Sequence, residues 1–257
     1  MPPRTSPRRP SKPDPADLVV PEVPWPTLYA HLRRTWKPGE HVTLIGPNGA
    51  GKTHVALLLG DLCGHTLVLA TKRRDPLVSG LQGRGYVLVG SLERVPVSGD
   101  GGVPVHRRVL LWTNPDVRDE RQRRLAQRRV LSHALSTAER QGRWCVVVDE
   151  TMWLVQNLRL GEELDSLWFQ ARTSRVSVVA CAQRPTRVPR MMVSQATHVF
   201  LWHVSDRRDI EPLRELGGVV SREVIEANVG ELDWHRHEFL YFNAHSGYVA
   251  RSVAPPN

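Results

Sequence analysis

The sequence predicts an α/β fold: a mostly parallel sheet with helices on both faces and a C-terminal β-hairpin. Three observations lead there. Short, nearly continuous apolar runs alternate along the chain with stretches of helical periodicity, as in sheets buried on both faces. The apolar run 41–45 passes through a glycine-bearing turn straight into an apolar helix opening, a strand–loop–helix unit. Residues 238–243 and 247–253 form two strand-like runs joined by turn residues, which reads as a closing hairpin.

The elements follow in order. Residues 1–26 hold nine prolines and almost no apolar periodicity, so a disordered or extended arm is expected there. Residues 27–257 are then a single domain, long enough for one substantial core. Arg4, Arg8, Arg9 and Lys12 could tether the arm to phosphate backbones or merely solubilise it. A short amphipathic helix is expected between Trp25 and Trp36, with Leu28 and Leu32 inward. Strands are expected at 41–46, 65–71, 86–89, 108–113, 144–150, 176–183 and 198–204, before the hairpin. Helices are expected after Gly51, between Pro115 and Gly142, across 161–172 and around 209–216. Leu164, Leu167, Trp168 and Ala171 mark a core-facing stripe in the third of these. The glycine-rich stretch 96–104 reads as a surface loop within an insertion around residues 86–113.

Composition narrows the function classes. A hydrophobic content of 40% is ordinary for a globular protein, and no run of 18 apolar residues offers a membrane span. Cys63, Cys145 and Cys181 lack metal-ligand spacing and read as small buried residues of a reducing compartment. With no export signal visible, the expected location is the cytoplasm. The formal charge of +9 favours a polyanionic partner, nucleic acid ahead of an acidic membrane.

The octet Gly46-Pro47-Asn48-Gly49-Ala50-Gly51-Lys52-Thr53 spells G-x-x-x-x-G-K-[ST], the phosphate-binding loop of nucleoside triphosphatases. Its glycines let backbone N–H groups turn inward around phosphates, and the helix that follows adds its positive N-terminus. Lys52 would reach the β- and γ-phosphates of ATP, and the Thr53 hydroxyl would ligate Mg²⁺. His54 follows on the same helix turn and completes the candidate nucleotide contacts. Further on, Trp144-Cys-Val-Val-Val-Asp149-Glu150 closes a buried strand with two acids at its C-terminal end, where ligands sit in open parallel sheets. Asp149 suits the metal's water shell and Glu150 suits a general base for the attacking water. The strand 176–182 ends in Gln183-Arg184-Pro185, whose amide could lie beside the γ-phosphate or be an ordinary polar strand end. No guanine-specific [NT]-K-x-D and no L-S-G-G-Q signature is present.

Together, residues 46–53, Val146-Val-Val-Asp149-Glu150, Ala171-Arg172 and Val178-Val-Ala-Cys-Ala-Gln183-Arg184-Pro185 resemble the FtsK–HerA superfamily of DNA-pumping ATPases. The continuation through Val188-Pro-Arg-Met-Met and Ala196-Thr-His-Val-Phe-Leu-Trp202 is similar to the family's short helix and next strand. The resemblance implies a P-loop NTPase fold of RecA/FtsK type, an Mg²⁺-dependent ATPase, and a homo-oligomeric ring of five or six subunits. It makes Asp149 the Walker-B acid, Glu150 the base and Gln183 a γ-phosphate sensor. It also implies an arginine supplied in trans, for which Arg172 and Arg175 are the candidates; solvated helix-end arginines are the other reading of both. Ala182 departs from the family's usual Thr or Ser before the sensor. The absence of membrane spans and a winged helix, and the short stretch after Gly218, point to a compact motor for packaging or plasmid transfer.

In such a ring, Arg184, Arg187 and Arg190 would lie on a pore loop and touch double-stranded DNA through its phosphates. Arg118, Arg121, Arg123, Arg124, Arg128 and Arg129 read as a solvated helix face, with a nucleic-acid surface or a subunit contact as alternatives. Trp112, Trp153 and Trp168 are expected in the core. The function expected is an ATP-driven DNA-translocating motor for viral packaging or DNA transfer, with a portal- or relaxosome-type protein as a further partner. The alternative is a nucleotide-dependent switch that acts on a protein and moves no DNA.

Overall fold

In a computed structural model of the protein, residues 18–72, 80–95, 97–98, 103–113, 117–204, 206–213 and 218–256 are described, without the side chains of Val97, Ser98, Val103, Pro104, Arg172, Arg187 and Arg207. The strands are β1 (His41–Ile45), β2 (His65–Ala70), β3 (Val87–Val89), β4 (Val97–Ser98), β5 (Val103–Pro104) and β6 (Arg108–Trp112). They continue as β7 (Trp144–Val148), β8 (Ser177–Ala182), β9 (Ala196–Leu201), β10 (Glu238–Asn243) and β11 (Val249–Val253). The helices that frame them are α1 (Trp25–Thr35), α2 (Lys52–Gly60), α3 (Glu120–Gln141) and α4 (Gly161–Ser174). Three shorter ones follow: α5 (Arg190–Ser194), α6 (Arg207–Leu213) and α7 (Arg222–Val229).

Nine strands form one sheet in the order β11-β10-β9-β1-β8-β7-β2-β6-β3. The seven from β9 to β3 are mutually parallel, and β10 and β11 complete the sheet as an antiparallel hairpin. β1 is central: Leu44 pairs in register with Cys181 on one side and Phe200 on the other. Its five residues are all buried, as a strand covered on both faces requires.

Side chains alternate between two apolar layers. One holds Ile45, Leu69, Val146, Val148 and Val178 against Leu131 and Leu135 of α3 and Leu164 and Leu167 of α4. The other holds Val42, Leu44, Val68, Val147 and Val179 against Leu28 and Leu32 of α1 and Val55 and Leu59 of α2. The stripe read in 161–172 is therefore a core face, and Trp168 is 3% exposed. Asp119 starts α3 by accepting the Gln122 N–H at 2.7 Å, which satisfies one of the helix's orphan donors.

Two boundaries differ from the sequence reading. The arm was drawn to residue 26, yet residues 18–24 lie along the sheet edge. The Val23 N–H donates to Arg251 O at 2.8 Å, Arg251 N–H donates to Pro21 O at 2.9 Å, and Val20 is buried. Two prolines do not prevent this, because an edge segment uses only some of its N–H groups. Residues 1–17 lie outside the described part. The insertion drawn around 86–113 also shrinks. β3 and β6 pair in parallel, Val87 with Val109, so both belong to the main sheet. A parallel pair needs a crossover, and residues 90–107, with the small β4–β5 pair, supply it. α7, capped by the Ser221 hydroxyl, was not expected from the sequence.

Candidate active site

The parallel strands all end on one side of the sheet, and the chemistry-bearing residues gather there. The loop 46–51 leaves β1 and turns into α2, with Gly49 and Gly51 at φ 80° and 94°, values that a side chain would strain. This hands the N-terminal N–H groups of α2 to a cleft of about 410 Å³. The cleft is lined by the loop, Lys52, Thr53, His54, Asp149, Glu150 and Gln183, and also by Lys72, His237 and Pro255-Pro256.

Lys52 is 8% exposed, and its Nζ donates to Pro47 O at 2.7 Å. Burial holds its ammonium below the ordinary lysine range, against the opposing pull of Cys181, Asp149 and Glu150. The Thr53 hydroxyl donates to Asp149 Oδ1, and Lys72 Nζ pairs with Asp149 Oδ2 at 3.1 Å. Gln183 Nε2 donates to Glu150 Oε1 at 3.1 Å. The sheet order explains these meetings: β7 lies between β8 and β2, so Asp149 and Glu150 have Gln183 on one side and Lys72 on the other. The imidazole of His54 titrates below its usual range, through burial and the nearby Arg84.

Lys72 was missed in the sequence because no motif contains it. The structure fixes its backbone from two sides. The Trp112 indole donates to Lys72 O at 3.2 Å, and the buried Gln127 amide donates to Thr71 O at 2.9 Å. His237 was missed as well; it arrives beside the phosphate loop because β10 and β11 fold next to β9, setting its Nδ1 3.7 Å from where a Gly51 Cβ would stand.

The expected arginines spread more widely. Arg175 caps α4 before β8 begins, so it sits at the opposite end of the sheet from Gln183. Six residues of strand span about 20 Å, so it does not reach the cleft of its own chain. The Arg172 side chain lies outside the described part. Arg184 is not a free contact. Its guanidinium bonds Asp209 Oδ2 at 2.9 Å and Asp206 Oδ2 at 2.9 Å, and Asp209 also accepts the Thr186 hydroxyl at 2.6 Å. The loop after β8 is thereby tied to α6. Arg190 is exposed at the start of α5, and the Arg187 side chain lies outside the described part. On α3, Arg121, Arg124, Arg128 and Arg129 are exposed, while Arg123 folds inward with its side chain 13% exposed. Trp112 and Trp153 are half-buried rather than enclosed.

No family model matches the chain, and no curated protein matches it. Solved structures do. The chain is similar to the genome packaging NTPase B204 from Sulfolobus turreted icosahedral virus 2 in complex with sulfate, at 12% identity. That match covers 86% of this chain and 100% of the other, with a TM-score of 0.60. B204, the DNA-packaging ATPase from Sulfolobus Turreted Icosahedral Virus, matches at 12% identity over 86% of this chain and all of its own, with a TM-score of 0.57. VirB4 of Thermoanaerobacter pseudethanolicus matches at 13% identity over 84% of this chain and 89% of its own, with a TM-score of 0.55. At such identities the likeness is one of fold. The chain therefore shares the fold of the B204 packaging NTPases and of VirB4.

Proposed function

We propose that the chain is an ATP-hydrolysing motor that moves double-stranded DNA in viral packaging or DNA transfer. The observation that carries the hydrolysis is the double meeting in one cleft: Thr53 with Asp149, and Glu150 with Gln183, beside a phosphate loop. The backbone N–H groups of residues 49–53 and the Lys52 ammonium would hold the β- and γ-phosphates. Glu150 would take a proton from water as its oxygen attacks the γ-phosphorus and the bond to the β–γ bridging oxygen breaks. Gln183 holds the same carboxylate and would orient it toward that water. The Thr53 hydroxyl and the Asp149 carboxylate are hard oxygen donors at hydrogen-bonding distance, a pair that suits Mg²⁺. When bound, Mg²⁺ would neutralise charge on the transferring phosphate.

The DNA and ring parts of the reading rest on the likeness to the B204 packaging NTPases, on the charge of +9, and on the arginines after β8. Since Arg175 lies far from the cleft of its own chain, a catalytic part for it requires a second copy, as a five- or six-membered ring would supply. Arg187 and Arg190 are the remaining candidates for the DNA-facing loop, because two aspartates already engage Arg184. The decisive test measures ATP hydrolysis with and without duplex DNA, and the assembly state with ATP by sedimentation. A motor is stimulated by duplex DNA and assembles. A monomer whose hydrolysis ignores DNA refutes the motor and leaves a nucleotide-dependent switch.

A further inference from the structure

Behind the Asp149–Glu150 pair lies a second cavity, of about 370 Å³, which shares Lys72 and Glu150 with the nucleotide cleft. Arg123, Trp153, Gln156 and Asn157 make up its outer wall. The last three belong to a π-helical turn, Trp153–Asn157, that begins three residues after Glu150. Such turns are rare, and they concentrate at functional sites because they re-aim side chains at the expense of regular hydrogen bonding.

The wall is rich in donors. The Arg123 Nε–H and the Trp153 Nε1–H are both buried, and neither has an acceptor among the described residues. Buried donors without partners are uncommon in folded proteins, because each forfeits its hydration. The guanidinium is held in place: its Nη2 pairs with Glu120 one helical turn earlier. Gln156 and Asn157 are exposed and add amide donors at the mouth. Among the described residues, Glu150 is the only acid on the lining. The chemistry called for is a compact acceptor with several oxygens, reachable from solvent on one side and from the catalytic carboxylate on the other.

We propose that this cavity is a binding site for inorganic phosphate, where the product of hydrolysis is held on its way out by Arg123 and Trp153. The assignment of the occupant as product rests on the ATPase reading above; the anion site itself does not. Phosphate freed at the γ position has the bound nucleoside diphosphate on one side and the Asp149–Glu150 side chains on the other. Lys72, which pairs with Asp149, lines both spaces and would flank the route between them.

The test begins with AMP-PNP, a non-hydrolysable ATP analogue, titrated into the protein by calorimetry. Failure of that binding refutes the nucleotide reading and is a separate result. The AMP-PNP-saturated protein is then titrated with inorganic phosphate; if AMP-PNP does not bind, the phosphate titration uses Lys52→Ala protein instead. One phosphate per chain is expected to bind although the phosphate loop is filled. Arg123→Ala and Trp153→Phe should each weaken phosphate by about fivefold or more, as loss of a charge-assisted or buried hydrogen bond does. AMP-PNP affinity should stay unchanged in both, and the phenylalanine removes the N–H while leaving an aromatic ring in the wall. Absence of phosphate binding means that the two donors meet water alone and overturns the proposal. So does wild-type binding in both variants. A short DNA duplex that displaces the phosphate would assign the cavity to nucleic-acid phosphates and overturn the product role.

Discussion

Gly46, the first glycine of the phosphate loop, should be dictated by packing more than by phosphate, and Gly46→Ala tests that. A Cβ on Gly46 would stand 2.5 Å from Trp202 Cβ, 3.1 Å from its Cγ and 3.4 Å from its Cδ2. Carbon atoms rest about 3.5–4.0 Å apart, so the overlap is at least about 1 Å. The offended atom is a Cβ fixed to the backbone and cannot rotate aside. That backbone is itself pinned: the Trp202 N–H donates to Ile45 O at 2.9 Å, and the Gly46 N–H donates to Ala182 O at 3.2 Å. Relief therefore requires the ends of β1 and β9 to part around a fully buried indole. Overpacking of this kind costs about 2–3 kcal/mol, which lowers the melting temperature of a domain this size by about 4–12 °C. Gly49→Ala is the control. Its Cβ would meet nothing within 4 Å, and only the φ of 80° opposes it, at about 1 kcal/mol. Urea unfolding followed by far-UV circular dichroism gives both values. If Gly46→Ala loses no more stability than Gly49→Ala, the packing argument is wrong.

Glu150→Gln keeps the shape and an acceptor for Gln183, so AMP-PNP affinity should hold while turnover falls by about 10²–10⁴-fold; near-normal turnover would remove Glu150 from the role of base. Acid should weaken the fold through His41. Burial lowers its pKa to about 4, Val178 N–H donates to its Nδ1 at 3.0 Å, and its Nε2 meets Trp168 O at 3.3 Å. The folded state keeps this ring neutral, while the unfolded chain gains a proton below about 6.5. Stability is thus fully present above that value and declines toward pH 4 by about 3 kcal/mol. His41→Gln should flatten the decline in that window, as read by urea midpoints at pH 7, 5.5 and 4.5; an unchanged profile would contradict it. Arg187→Ala with Arg190→Ala should reduce the stimulation of hydrolysis by duplex DNA and lower the salt slope of DNA binding by about one to two. Unaltered stimulation would exclude that loop.

What was legible in the sequence was what lies close together along the chain. The strand, the phosphate loop and the opening of α2 are contiguous, so residues 41–60 could be read from one window. Asp149 and Glu150 were legible because four apolar residues lead into them. Their meetings with Thr53 and Gln183 followed from the rule that parallel strands end on one side. Lys72 was not legible, since its place beside Asp149 depends on β2 being the neighbour of β7, and strand order is a long-range property. His237 and Pro255-Pro256 come to the cleft for the same reason. The commitment of Arg184 to Asp206 and Asp209 was hidden because α5 and β9 lie between them in the chain. α7 did leave a signal, the Ser221 cap three residues before Val224, but its eight residues are too few for a clear period. The π turn left none.

The position of His237 and Pro255-Pro256 in the wall of the nucleotide cleft bears on how the protein is made. Ribosomes add about 5–20 residues per second, so the phosphate loop emerges roughly ten to forty seconds before the wall that completes its pocket. A nascent chain can assemble β1, β8 and β9 and still lack that wall. Stabilisation by bound ligand goes only to states that bind, so nucleotide would selectively favour polypeptides translated through β11. Fragments that stop earlier would present β9 as a bare strand edge and gain less from nucleotide, since only part of the pocket would be in place.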